Sequence, residues 1–142
     1  MKESTAFAKE EFLIQRFRLF DDLHERLDAI ISFGRRWPPL SPTLCIPGNR
    51  ISECMSKVWV HGHFADGKFT VRGEAELPLI RGLAALLFAV YDGLPASALP
   101  PCGTAILQKL DIWEQLSNAR QLGLCGIEKK IRRDYQATRE NS

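Results

Sequence analysis

What this chain lacks narrows its function before anything present is read. Its four cysteines, Cys45, Cys54, Cys102 and Cys125, form no CxxC pair and no compact metal spacing. Its longest apolar run, Gly82 to Tyr91, is far too short to span a bilayer. There is little charge of either sign in excess: the net charge is +2, so composition makes no case for nucleic acid or a membrane surface. No glycine-rich phosphate loop, internal repeat or low-complexity tract occurs. The N-terminus mixes charges, carries Glu3, Glu10 and Glu11, and has no apolar core, which argues against a secretory or organellar leader. The expectation is a cytoplasmic protein whose scattered cysteines are thiols rather than disulfides.

What is present fits one globular domain over residues 1–142, with 45% hydrophobic and 25% charged residues, long enough to bury a core without staples. Ser4 or Thr5 caps a helix running to about Leu19. Asp21 and Asp22 precede a second helix, where Leu23, Leu27, Ile30 and Ile31 recur at helical spacing and Gly34 reads as the stop. From Trp37 to Gly48 four prolines and no periodicity mark a long loop, and such loops are often functional. Two β-rich runs, residues 57–64 and 68–73, flank Ala65-Asp66-Gly67, a hairpin signature. Leu77 to Tyr91 is a helix apolar nearly all round, hence the expected centre of the core. After the proline-rich linker at residues 95–101, Thr104 to Leu116 reads as an amphipathic helix. Leu122 to about Thr138 reads as the last helix, with Lys129, Lys130, Arg132 and Arg133 on its outer face. Helices, a small antiparallel sheet and more helices make an α+β domain.

The chemistry concentrates in Asn49-Arg50-Ile51-Ser52-Glu53-Cys54-Met55-Ser56-Lys57. A thiol in a polar loop between Arg50 and Lys57 is presented rather than packed. Neighbouring cations favour the thiolate, the form that attacks sulfur or carbon, whereas Glu53 opposes ionisation. A structural reading remains beside it, since unpaired cysteine is commonly a small buried hydrophobe. Cys45, in the proline-rich loop, could pair with Cys54 under oxidation. Cys102 and Cys125 read as incidental. His61 and His63 alternate on one strand face and with Cys54 suggest a zinc site, though a fourth ligand is missing and an exposed strand face is the simpler account. A Cys–His pair oriented by Asp66 would need an imidazole within about 3 Å of Cys54. His24 reads as a solvated surface residue.

Several segments in order then make the chain resemble the SufE family, which includes CsdE. They are Ile30-Ile31-Ser32-Phe33-Gly34-Arg35-Arg36-Trp37-Pro38-Pro39-Leu40, Asn49-Arg50-Ile51 through Cys54, Ser56 and Val58-Trp59, Gly73-Glu74-Ala75-Glu76, Ile80-Arg81-Gly82-Leu83-Ala84, Tyr91-Asp92, and Leu116-Ser117-Asn118-Ala119-Arg120 with Gly123-Leu124. The resemblance implies a sulfur acceptor for a PLP-dependent cysteine desulfurase of the SufS or CsdA kind, serving iron–sulfur cluster assembly and passing sulfur to a downstream scaffold. Cys54 falls on the family's acceptor cysteine and Arg120 on its nearby arginine. Arg50, Ser56, Lys57 and Glu76 fall where the loop is supported or a partner docks. The implied fold is α+β with a three-stranded antiparallel sheet, related to the scaffold IscU, and the acceptor loop tucks its cysteine into an apolar pocket. No metal and no cofactor of its own are implied, PLP belonging to the desulfurase; the protein activates its partner and is not an independent enzyme. The alternative carried beside it is a metal- or cluster-binding scaffold. The chain departs from the family pattern at Glu53, where glycine is usual, at Met55, and at Asn118-Ala119 before the arginine.

Overall fold

The structure is a computed structural model that describes residues 4–98 and 104–139, with side chains from residue 7 onward. Cys102 and the end of the expected linker lie outside those residues. Seven regular elements follow in order: helices α1 (Ser4–Arg18) and α2 (Leu23–Arg36), strands β1 (Val58–Ala65) and β2 (Lys68–Ala75), and helices α3 (Pro78–Tyr91), α4 (Ala105–Lys109) and α5 (Asn118–Arg139).

The hairpin forms as its residues require. Asp66 and Gly67 both take positive φ, 56° and 78°, the backbone of a tight turn that matches strand twist. The register pairs Phe64 with Phe69, Gly62 with Val71 and Val58 with Ala75. Val58, Val60, Gly62, Phe69, Val71 and Gly73 are buried on one face.

The sheet has two strands among the described residues, not the three that the resemblance implied, because both outer edges are satisfied by other groups. Along β2, Phe69 N–H donates to the Leu94 carbonyl (2.8 Å), Val71 N–H to Asp92 Oδ1 (3.0 Å), and Trp37 Nε1 to the Val71 carbonyl (3.2 Å). Along β1, Ile51 N–H donates to the Val58 carbonyl (2.9 Å) and Gly62 N–H to Asp134 Oδ2 of α5 (2.9 Å). An edge so covered offers no ladder to a third strand.

α3 is the buried centre, as its sequence required: Leu83, Leu86, Leu87, Val90 and Tyr91 are fully enclosed, and Pro78 opens its first turn. α2 crosses it with backbones touching. A Cβ on Gly34 would sit 2.6 Å from Gly82 Cα, and one on Gly82 would sit 2.7 Å from the Ile30 carbonyl oxygen. Gly34 is therefore a contact point rather than the helix stop; α2 runs on to Arg36 and ends where Trp37 precedes Pro38. Arg81 ties this crossing to the sheet, donating to the Gly34 carbonyl (3.1 Å) and pairing with Glu74.

The last third of the chain departs from the sequence expectation in three places. The helix expected over Thr104–Leu116 stops at Lys109. Asp111 takes φ 61°, Ile112 N–H reaches the Leu107 carbonyl (2.9 Å) and Asp111 N–H that of Gln108 (3.1 Å). These are the two bonds of a Schellman cap. A 3₁₀ turn, Trp113–Gln115, follows. The last helix begins at Asn118, four residues earlier than expected, because Ser117 Oγ accepts from Arg120 N–H (3.2 Å). On α5 Lys130 is buried and paired with Asp134 (2.5 Å), so it is no part of an outer basic face. Tyr91 Oη donates to Glu128 Oε2 (3.0 Å) and accepts from Arg132 (2.8 Å), a buried polar link between α3 and α5. No described helix is long and apolar enough to cross a membrane.

The Gly34–Gly82 crossing leaves no room for a methyl group against backbone. Gly82→Ala is expected to destabilise the protein by about 1–3 kcal/mol, measured as a fall in urea midpoint at constant m-value. An unchanged midpoint would mean that the two backbones do not touch.

Candidate functional site

The loop carrying Cys54 is anchored at both ends and short in between. At its entry Asn49 is buried and its amide donates to the Leu44 carbonyl (2.8 Å). Ile51 is buried in the core and bonded to β1. At its exit Lys57 N–H donates to Glu76 Oε1 (2.9 Å), and Glu76 N–H returns a bond to the Lys57 carbonyl (3.0 Å). The five residues from Ser52 to Ser56 span these anchors, with a backbone bond from Cys54 N–H back to the Ile51 carbonyl (3.2 Å).

This span lies against α5. A Cβ on Gly123 would sit 2.8 Å from Cys54 Sγ, and one on Gly126 would sit 2.5 Å from Glu53 Oε1. Two glycines three residues apart share one helix face, and here each receives one loop side chain. Beside the thiol opens a cavity of about 450 Å³ lined by Cys54, Met55, Ser56, Leu77, Ile80 and Leu124, with Ser117 and Arg120 on the α5 side. Ser117 caps α5 and so fixes Arg120 in the helix's first turn at this cavity.

Each residue singled out by sequence can now be located. Cys54 is half-buried, and Arg120 and Ser56 line the same cavity. Glu76 holds the loop's exit through the Lys57 backbone, whereas the Lys57 side chain is exposed. Arg50 lies on the other side of the loop, its guanidinium 5.5 Å from the centroid of the Trp59 ring and lining a separate recess with Cys45. Cys125 is exposed on α5. His61 and His63 stack with centroids 5.3 Å apart. No group of three or more His, Cys, Asp or Glu among the described residues is arranged to hold a metal ion, and no histidine lines the cavity at Cys54. The zinc and Cys–His readings therefore find no geometry here.

Electrostatics at the thiol run against the expected effect of the flanking cations. The Cys54 pKa is raised from 9.0 to about 11, first by burial and then by Glu53, with Arg50 opposing. Glu53 is itself 3.6 Å from Lys129 Nζ. Gly126 and Lys129 were not foreseen as parts of the site. The signal for Gly126 was its helical spacing from Gly123, a notch in one face of a predicted helix.

Comparison with known proteins bears on this arrangement. The family model for SufE, described as an Fe-S metabolism associated domain, matches residues 11–135. An uncharacterized SufE-like protein of Rhizobium etli is 29% identical over 137 residues, spanning 93% of each chain. Another, of Rhizobium meliloti, is 27% identical over 129 residues, covering 87% of this chain and 92% of its own. A third, of Synechocystis, is 24% identical over 119 residues, covering 84% and 75%. The solution structure of a hypothetical protein from Thermus thermophilus superposes with a TM-score of 0.75 at 19% identity, over 94% of this chain and 97% of that one; at that identity the likeness concerns the fold.

A thiol held near pKa 11 has about one molecule in 10⁴ ionised at pH 7, against about one in 100 for a thiol at 9.0. Site-resolved iodoacetamide labelling at pH 7 should find Cys54 about 100-fold slower than a cysteine in an unstructured peptide, with the difference gone in concentrated urea. Labelling at the peptide's rate in the folded protein would mean that the thiol is not held as described.

Proposed function

Because the chain belongs to the SufE family, an iron–sulfur metabolism family, we propose that it is a sulfur acceptor that takes persulfide sulfur from a PLP-dependent cysteine desulfurase onto Cys54. The observation that carries this reading is one half-buried thiol on a two-anchored loop, set beside an apolar cavity with an arginine at its lip. The 142 residues act as one sulfur-acceptor domain.

The chemistry is sulfur exchange. The Cys54 thiolate attacks the outer sulfur of the donor's persulfide; the S–S bond to the donor breaks and its thiolate leaves, while a new S–S bond makes Cys54 the persulfide. The total of sulfur, protons and electrons is unchanged, so the step needs neither oxidant nor metal. The held thiol is nearly all protonated at neutral pH, so productive attack follows its movement out of the cavity toward water or the donor. Return of the loaded residue would shelter the persulfide between Leu77, Ile80 and Leu124. A persulfide is more acidic than its parent thiol, and Arg120, which lines the same cavity, would stabilise its anion once the loop carries it.

The activity is thereby an acceleration of a desulfurase of the SufS or CsdA kind, by removal of its product sulfur, with delivery onward to a cluster scaffold. It is a cytoplasmic role and the protein is not itself an enzyme with its own cofactor. The cluster-scaffold alternative needs several ligands converging near Cys54, and among the described residues the cavity lining supplies Cys54 alone.

Alanine released from cysteine by the partner desulfurase is the direct readout. Wild type should stimulate it strongly and Cys54→Ser almost not at all; equal stimulation by the variant would refute the carrier role. Mass spectrometry after incubation with desulfurase and L-cysteine should find an increment of about 32 Da on the Cys54 peptide, one sulfur atom. Arg120→Ala should weaken stimulation at an unchanged melting temperature, since its side chain is exposed. A collapsed melting temperature would reassign Arg120 to folding.

A further inference from the structure

We infer that Glu53 is the residue that positions the acceptor thiol, by seating the loop on α5 through the notch at Gly126 and the ion pair with Lys129. The inference rests on the reading of Cys54 as the acceptor and adds a residue and an interaction to it.

The geometry supporting it is independent of the cavity. Glu53 occupies the place a side chain at position 126 would need: a Cβ there would meet Glu53 Oε1 at 2.5 Å, Cδ at 2.6 Å and Cβ at 2.8 Å. Its other carboxylate oxygen is 3.6 Å from Lys129 Nζ, and Ser52 Oγ lies 3.5 Å from Oε1. Positions 126 and 129 are three apart on α5, so the notch and the cation share one face. Position 123 lies on that face too, and a Cβ there would meet Cys54 Sγ at 2.8 Å. Two consecutive loop residues thus engage two successive small sites on one rigid helix. One carries charge; the other carries the nucleophile.

A seat built this way is releasable. Lys129 is 77% exposed and Glu53 30%, and exposed pairs are weak and screened by salt. Lys129 is the half of the pair that a partner's carboxylate can reach. The charged groups around the thiol are Glu53 and Arg50 on the loop and Arg120 on α5, with Lys129 facing Glu53 rather than Cys54. Loss of Lys129 therefore acts on Cys54 through the position of the loop, whereas loss of Glu53 also removes the carboxylate that raises the thiol's pKa.

Three variants separate position from charge. Gly126→Ala evicts the Glu53 side chain while leaving every charge in place, and its alanine favours the helix. Lys129→Gln removes the cation only, and Glu53→Gln keeps shape and removes the anion. Two readouts are taken on the purified protein alone: alkylation of Cys54 at pH 8, and hydrogen–deuterium exchange of the peptide covering residues 52–56 at pH 7. Neither requires desulfurase or persulfide, so failure of the sulfur-transfer reading and failure of this one are distinguishable. All three variants should label at least about threefold faster and exchange faster in that peptide, with Gly126→Ala the largest. In wild type, raising NaCl to about 1 M should reproduce part of the gain, and in Glu53→Gln it should not. Wild-type exchange in both Gly126→Ala and Lys129→Gln would overturn the inference. So would faster labelling in Glu53→Gln with unchanged exchange, since Glu53 would then act only on ionisation of the thiol.

Discussion

Strand β1 has one edge that β2 does not use, and the site exists because two remote segments share it. Near the start of the strand the Val58 carbonyl accepts from Ile51 of the Cys54 loop; further along, Gly62 N–H donates to Asp134 of α5. A buried strand edge with open amides is costly, so both partners are drawn to the same line. That shared edge brings the loop alongside α5. Everything distinctive about Cys54 follows: the glycine under its sulfur, the cavity beside it and Arg120 at the lip.

The resulting thiol is held rather than activated. Burial raises its pKa, a neighbouring carboxylate raises it further, and the one cation counted against these effects does not overcome them. In an enzyme with a cysteine nucleophile this would be a defect, because there the attacking form must be present in the resting site. In a carrier the order is reversed. A thiol inert when seated and ionisable when released avoids wasteful exchange with small thiols, at the cost of a conformational step before transfer. The strength of the anchors matters for that step: Ile51 and Asn49 are buried and Glu76 grips the backbone at Lys57, whereas the central contact at Glu53 is a partly exposed ion pair. The weakly held part of the loop is thereby confined to the few residues around Cys54.

Local rules were legible at many particular residues. Asp66-Gly67 specified the hairpin, Asp22 capped α2 through Glu25 N–H (3.1 Å), Pro78 opened α3, and the all-round apolarity of α3 placed it at the centre. Where local reading erred, a longer-range contact intervened. Gly34 looked like a helix stop and is a crossing point with Gly82. Asp111 interrupts a continuous amphipathic pattern, and the cap is consolidated by Arg26, which donates to the Leu110 carbonyl (2.6 Å). Ser117 was overlooked as a cap, although its spacing to Arg120 was visible.

Sequence by itself determined the hairpin and the buried central helix, the presence of an unusual thiol in a polar loop, and the family pattern in which Cys54 and Arg120 stand, because each is written in neighbouring residues or in a fixed order of motifs. Tertiary structure alone decided that the sheet stops at two strands, that the thiol is suppressed by burial rather than promoted by its flanking cations, and that Glu53 rests on Gly126 beside Lys129. Those outcomes depend on which groups meet across long stretches of chain. Electrostatic and steric effects act over a few ångströms of space, and sequence separation does not report that distance.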